Sequence, residues 1–220
     1  MHTIYLSSAY LAPIQYYCKL LEYDRIYIDP YEHYQKQTYR NRCVIAAPDG
    51  PLALTVPIVK PHTPKCMMRD IRISDHGNWR HLHWNALISA YSHTPFFQYY
   101  MDELHEFYEH KYVFLLDFNE ALLFHICEQM DIKPNVSLTN SYRTFFDEGE
   151  EDWRNAIRPK QASDAKHLSQ SEQTTDFMSR PYYQVFQEKL GFLPNLSIVD
   201  LLFNLGPESL LYLTTQPVAK

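Results

Sequence analysis

Apolar and polar positions at the start of the chain predict a strand, a helix and a second strand. TIYLSSAY is β-rich and ends in small residues, and apolar residues recur at helical spacing from Pro13 to about Glu22. YDRIYID then alternates as a half-buried strand does. Such a unit normally makes a crossover between parallel strands. Ser7 and Ser8 would then lie where open α/β sheets tend to bind ligands, with turn or cap residues as the alternative reading.

The middle of the chain predicts a hairpin, further strands and three helices. NRCVIAA, PDG and PLALTVPIV indicate two strands joined by a turn, and RDIRIS indicates another strand. Helical spacing predicts helices from about Trp79 to Tyr91, from Pro95 to Tyr108 and from Asp117 to Met130. Asn135 to Thr139 is predicted as the last strand. The elements indicate an α/β fold: a single domain with a mixed sheet, a β-hairpin and flanking helices.

Residues 146–175 differ in composition from the rest of the predicted single domain, residues 1–220. The stretch DEGEEDWRNAIRPKQASDAKHLSQSEQTT contains few large apolar residues. It cannot easily repay the cost of ordering a backbone, roughly 1–2 kcal/mol per residue. We predict a mobile excursion at 146–175. Limited proteolysis should cut there first and leave the fragments associated, whereas first cuts within 115–135 would contradict this domain map.

Composition restricts the class of protein. With 220 residues, 45% of them hydrophobic, the chain can bury the core of one elaborated domain. A net charge of -6 provides no general attraction to nucleic acid or to an anionic membrane. Four cysteines lie far apart without CxxC spacing, which predicts reduced thiols. Because neither a signal peptide nor an apolar run of about 18 residues is recognisable, we expect a cytoplasmic protein without membrane insertion.

Charged and polar side chains are concentrated between two predicted strands, in DPYEHYQKQTYRNR. The stretch contains Asp29, Glu32, His33, Lys36, Arg40, Asn41 and Arg42. A connection held at both ends by a sheet can arrange such groups around one pocket, although a solvated loop is the plainer alternative.

These residue types suggest separate roles in catalysis and binding. Neighbouring cations lower the pKa of an imidazole and favour the neutral form that a general base needs, which makes His33 the candidate base. Planar guanidinium groups can hold phosphate or carboxylate at two points. The candidate catalytic residues are His33, Lys36 and His83, and the candidate substrate-binding residues are Asp29, Arg40, Asn41 and Arg42. We expect Asn41 and Arg42 to turn inward, towards a cleft that His83 also reaches.

Other kinds of site lack a signature. The eleven histidines form neither HExxH nor a Cys/His zinc pattern, and on a helix His81 and His83 would point to different faces. No metal site is therefore predicted. GxSxG, GxGxxG and P-loop patterns do not occur, so the sequence identifies no cofactor.

Several segments, in their order and spacing, resemble the WbqC-like protein family, a bacterial group associated with surface-polysaccharide loci. The matching segments are YLAP, IDPYEHYQKQTYRNRCVI, LTVPI, NWRHLHWNALISAYSHTPFFQYY, LLDFNEALL and RPYYQVFQEKLGFLPNLSIVDLLFNLGPE. The last is similar to the tail of the family's Bacteroidetes-like branch. Residues that match the family pattern are Asp29, Lys36, Asn41, Arg42, Trp79, His83, Tyr91 and Asn119. Family members usually have a histidine-glutamine-proline segment where this chain has Ser7-Ser8-Ala9.

The resemblance implies a role in assembling or decorating a bacterial surface polysaccharide. The implied activity is that of a transferase moving an acyl or aminoacyl group to a sugar, with a sugar or carrier-linked small molecule as substrate. A non-catalytic binding or accessory protein of a glycan-assembly pathway is the alternative. Polar residues clustered at one pocket mouth would favour catalysis, and dispersed ones would favour binding.

Overall fold

A computed structural model of the chain describes residues 1–61, 63, 65–159, 177 and 179–216. The strands are β1 (Thr3–Leu6), β2 (Arg25–Ile28), β3 (Arg42–Ala47), β4 (Gly50–Thr55), β5 (Val136–Leu138) and β6 (Glu150–Asp152). The helices are α1 (Ile14–Glu22), α2 (Trp79–Tyr91), α3 (Phe97–Glu109), α4 (Leu115–Gln129), α5 (Gln187–Leu190), α6 (Ile198–Leu205) and α7 (Ser209–Thr214). Short 3-10 turns occupy Met68–Asp70, His76–Asn78 and Gly206–Glu208. Helices, a parallel sheet and an antiparallel hairpin confirm the α/β class.

The main sheet has four parallel strands in the order β5-β2-β1-β6. β1 pairs with β2, with Thr3 opposite Arg25, and with β6, with Thr3 opposite Glu150. The predicted crossover between parallel strands is confirmed, because α1 connects β1 to β2. Parallel strands end at one edge of a sheet, so the residues that follow β1, β2, β5 and β6 come together.

The hairpin of β3 and β4 forms a separate two-stranded sheet in which Arg42 is opposite Thr55. Side chains alternate across its two faces. Cys43 and Ile45 are 0% exposed and face the core, whereas Arg42 and Val44 are partly exposed on the other face. The pleat therefore turns Arg42 away from the core.

The C-terminal segment is attached to the core through a buried carboxylate on α6. The Asp200 side chain accepts hydrogen bonds from the Tyr91 hydroxyl (2.8 Å), the Tyr182 hydroxyl (2.5 Å) and Gln184 Nε2 (3.4 Å). Asp200 is 0% exposed and has no ion pair within the described residues. Burial raises its pKa to about 6, against the opposing effect of these hydrogen bonds.

Gly206 ends α6, and Pro207 follows it in a 3-10 turn. The Gly206 φ of 53° lies in the left-handed region, and an added Cβ would stand 2.5 Å from the Phe96 ring. Backbone conformation and close packing both require glycine here.

Three predicted elements differ from those observed. RDIRIS forms isolated bridges, Ile73 with Ile58 and Arg72 with Phe114, instead of a strand. β5 is not the last strand, because β6 follows it inside the segment 146–175. Residues 150–152 thus belong to the main sheet, which corrects the start of the predicted excursion. Residues 160–175 lie outside the described residues, and for them the excursion stays a prediction. No helix in the described part of the chain has the length and apolar character needed to span a membrane.

Candidate functional site

Asp29, at the carboxyl end of β2, is 0% exposed and bonded to protein groups on both oxygens. Its Oδ2 accepts from Arg154 Nη1 at 2.5 Å. Its Oδ1 accepts from the Tyr31 main-chain N–H at 2.9 Å and the Thr139 hydroxyl at 3.0 Å. The carboxylate predicted to bind substrate is thus neutralised internally and joins the ends of β2 and β5.

Arg40, predicted as an anion clamp, forms a two-point ion pair with Glu32. Nε donates to Oε1 at 2.8 Å and Nη2 donates to Oε2 at 2.5 Å. Nη2 also donates to the Arg154 main-chain oxygen and to Asn155 Oδ1, each at 3.1 Å. Burial raises the pKa of Glu32, and Arg40 opposes that shift. Because Arg40 is 2% exposed, its fork holds the fold together and does not face a ligand.

Arg154 is the central residue of this charged network, and the sequence reasoning missed it. It donates from Nε and Nη2 to the two oxygens of Asp152, at 2.8 and 2.7 Å, in addition to its bond with Asp29. Its guanidinium lies over the Tyr142 ring, 4.5 Å from the centroid. Burial lowers the pKa of Arg154, but the hydrogen bonds to the carboxylates raise it above its ordinary value. The only signal for Arg154 in the sequence was its place after three acidic residues, and that segment resembled a solvent-exposed acidic stretch.

The other loop residues predicted for the site are exposed or bonded to the main chain. His33 is exposed and its ring stacks on Tyr142, with the centroids 6.4 Å apart. Lys36 is exposed. Asn41 is buried and donates from Nδ2 to the Val56 main-chain oxygen at 2.9 Å, which extends the hairpin pairing. The structure does not bring His33 and Lys36 to a shared pocket with Arg42.

His83 lies on the core side of the hairpin and is 5% exposed. The Tyr10 hydroxyl is 3.0 Å from His83 Nδ1 and 2.7 Å from the Tyr108 hydroxyl. Burial lowers the pKa of His83 to about 4, so the ring is neutral at pH 7. Both tyrosines also lie close to Cys43, on the opposite face of β3 from Arg42. Among the described residues, His83 and Arg42 therefore lie on opposite faces of β3 and not in the cleft that they were expected to share.

Ser7 and Ser8 are also buried, at 8% and 1% exposure. Asn119 Nδ2 donates to Ser8 Oγ at 2.9 Å and to the Arg40 main-chain oxygen at 2.8 Å. The main-chain oxygen of Ser7 accepts from the Tyr16 hydroxyl. These contacts support the structural reading of the serines.

A cavity of about 490 Å³, here called the hairpin cavity, opens on the outer face of the hairpin. Its polar side chains are Gln15, Tyr39, Arg42, Arg158 and Asn195, and its apolar wall includes Val44, Ala53, Leu193 and Leu196. Neighbouring residues of the polar loop lie in different environments. Arg40 belongs to the charged network, whereas Tyr39 and Arg42 line the cavity.

The hairpin cavity presents positive charge. Arg42 donates from Nε to the Thr55 hydroxyl at 3.1 Å, and its two Nη groups make no hydrogen bond or ion pair with the described residues. Arg158 lines the same cavity, and its described lining contains no carboxylate. Burial raises the pKa of Tyr39 to about 12, so its hydroxyl stays protonated and can donate. An anion fits this arrangement.

A second crevice, of about 360 Å³, lies between α2 and α3. Its cations pair with a carboxylate: Arg80 contacts Asp75 at 2.6 Å and Lys111 contacts Asp75 at 3.4 Å, while His105 Nδ1 lies 3.9 Å from Glu109. The cations of this crevice thus have partners, whereas the Arg42 Nη groups in the hairpin cavity have none among the described residues. Among the described residues, no group of three or more His, Cys, Asp or Glu side chains is placed to hold a metal ion.

Comparisons with known proteins agree with the resemblance found in the sequence. The model of the WbqC-like protein family matches residues 8–212. Uncharacterized protein Rv1507c of Mycobacterium tuberculosis is 31% identical over 199 residues, which cover 82% of this chain and 83% of that protein. No solved structure gives a significant match. Since the family model covers nearly the whole length, the chain belongs to the WbqC-like protein family.

Proposed function

We propose that this WbqC-like chain binds an anionic small molecule of bacterial surface-polysaccharide assembly in the hairpin cavity. The observation that carries the proposal is the Arg42 guanidinium, which lines a cavity of about 490 Å³ and whose Nη groups have no partner among the described residues. Ligand pockets are typically about 300–1,000 Å³ and combine apolar walls with a few polar groups. The link to a surface polysaccharide comes from the family resemblance.

The lining of the cavity favours binding over catalysis. Acyl or aminoacyl transfer to a sugar needs a base beside the reacting hydroxyl or amine. None of the described lining residues is a histidine, carboxylate, cysteine or lysine. His33, Lys36 and His83 lie elsewhere, so the polar residues are dispersed. We therefore prefer the accessory role, in which the protein holds a pathway intermediate, to the transferase role.

Arg42→Lys should weaken ligand binding about ten- to a hundredfold and leave the melting temperature nearly unchanged. Lysine keeps the positive charge but loses the rigid two-point fork, and one charge-assisted hydrogen bond contributes roughly 1.5–3 kcal/mol. Metabolites retained by the purified protein from a bacterial extract would be identified by mass spectrometry and their affinities measured by calorimetry.

Arg25→Lys is the matched control, because Arg25 is an exposed arginine of β2 outside the cavity. It should change neither affinity nor melting temperature. If Arg42→Lys instead lowered the melting temperature strongly with unchanged affinity, Arg42 would be a structural residue attached to Thr55, and the proposed binding role would be refuted.

A further inference from the structure

The apolar wall of the hairpin cavity indicates which kind of anion the cavity can bind. Resting on the proposed function, we infer that the cavity binds an amphipathic anion, in which a phosphate or carboxylate is attached to a hydrocarbon chain. The charged group lies at Arg42 and the chain follows the wall formed by Val44, Ala53 and Leu196.

The charged group and the chain are placed by the pleat of the hairpin. Arg42 and Val44 are two positions apart on β3 and lie on the same face, and Ala53 of β4 is directly opposite Val44. The anion site therefore continues along the strands into apolar surface. Tyr39, the residue before the buried Arg40, also lines the cavity.

The facing wall is fixed to the hairpin and to α1 by main-chain hydrogen bonds. The Ser197 N–H donates to the Val44 oxygen at 2.8 Å, and the Ile14 N–H donates to the Leu196 oxygen at 3.0 Å. Leu196 thereby stays opposite Val44 without a ligand. A wall held in this way reduces the ordering cost of binding a flexible chain.

The amide groups beside the wall are used within the protein. Asn195 Oδ1 accepts from the Gln15 main-chain N–H at 2.9 Å, and Asn195 Nδ2 donates to Gln15 Oε1 at 3.3 Å. A sugar needs several donors and acceptors for its hydroxyl groups, and leaving them unpaired is costly. The lining therefore suits methylene groups better than a sugar ring.

The cavity volume is within the usual range for a small-molecule site. It is about 490 Å³, against roughly 300–1,000 Å³ for typical ligand pockets. A phosphate with a hydrocarbon chain belongs to the class of ligand that such a site holds.

The test is a calorimetric series of alkyl phosphates on the full chain, below the concentrations at which they form micelles. Butyl, hexyl and octyl phosphate should bind increasingly tightly, by about two- to fourfold per methylene, because each added methylene leaves water for the apolar wall. Octanoate, measured in parallel, shows whether carboxylates are also accepted. Glucose 1-phosphate and UDP-glucose are the hydrophilic comparisons and should bind more weakly than octyl phosphate.

Val44→Thr separates the apolar wall from the anion site. It should weaken octyl phosphate about threefold or more and leave inorganic phosphate, which has no chain, nearly unchanged, since threonine keeps the shape of valine but adds a hydroxyl. Val59→Thr is the matched control, at an exposed valine outside the cavity. Neither variant changes a charge.

The outcomes distinguish this inference from the function on which it rests. If glucose 1-phosphate or UDP-glucose bound in an Arg42-dependent way while affinity did not rise with chain length, the ligand class would be refuted and the proposed function would stand. If no anion in the series bound in an Arg42-dependent way, the ligand class would be refuted, and if no metabolite from the bacterial extract did so either, the proposed function would be refuted as well.

Discussion

Arg154→Met should destabilise the protein by about 3–5 kcal/mol, the usual effect of removing one member of a buried ion pair. Asp29 would remain 0% exposed without its cation, which lies 2.5 Å away in the native protein. Methionine fills part of the space of the arginine stem. The decrease in the free energy of unfolding therefore comes mainly from the lost charge and hydrogen bonds. Urea unfolding of the two proteins at pH 7, followed by circular dichroism, measures the difference.

Arg143→Met is the matched control, because Arg143 pairs with Glu150 at 3.0 Å but its side chain is 40% exposed. Such surface pairs contribute about 0–1 kcal/mol. Asp29→Asn combined with Arg154→Met should be less damaging than Arg154→Met alone, since the uncompensated charge is removed and Oδ1 can still accept from Tyr31 and Thr139. A loss below about 1 kcal/mol in Arg154→Met would mean that the network does not stabilise the sheet.

Asp200→Asn should become more stable relative to the native protein as the pH rises from 4 to 7, by about 2.4 kcal/mol. The folded-state pKa of Asp200, about 6, lies above the ordinary value of 3.8. The contribution of a group with a raised pKa is complete below its unfolded value and is lost as the pH rises through its folded value. Asparagine does not titrate, so the variant does not lose stability at this position as the pH rises. Tyr91, Tyr182 and Gln184, which face the carboxyl, carry no charge at these pH values.

The stability of His83→Gln relative to the native protein should change with pH in the opposite direction. The pKa of His83 falls from 6.5 to about 4 on folding, so its contribution is present above pH 6.5 and is lost as the pH falls through 4. The free energy of unfolding of His83→Gln should therefore rise by about 3 kcal/mol relative to that of the native protein when the pH falls from 7 to 4.

The pH dependence of the free energy of unfolding is compared between the two variants and the native protein. The other carboxylates titrate in the same way in all three proteins, so their contribution cancels. Free energies of unfolding at pH 4, 5, 6 and 7 give the slopes, and local damage from each substitution shifts a curve without changing its slope. Parallel curves for both variants and the native protein would show that neither buried group changes protonation on folding.

The elements with a clear apolar pattern were predictable from the sequence. Pro13 and the spacing that follows it predicted α1, which runs from Ile14 to Glu22, and the crossover between parallel strands followed from the order of elements. β6 was missed because Glu150–Asp152 contains no apolar residue. It is a strand through its pairing with β1 alone, and tertiary pairing of this kind leaves no periodic signal.

The candidate site was only partly predictable, for a related reason. The sequence showed which charges are close along the chain, and Arg42 lines a cavity, where its binding role stays a prediction. It did not show that Arg40 and Asp29 are removed from water by partners elsewhere in the chain. Burial decides whether an arginine binds a ligand or supports the fold, and burial depends on contacts distant in sequence.

The ion pair between Asp29 and Arg154 also affects how the chain folds during synthesis. The two residues are 125 positions apart, so at roughly 5–20 residues per second Arg154 is synthesised about 6–25 seconds after Asp29. Until then, β1 lacks its β6 partner and Asp29 has no cation to accompany it out of water. The carboxyl ends of the strands are thus joined late, and a nascent or truncated chain that ends before residue 150 lacks β6 and exposes an open β1 edge to chaperones and proteases.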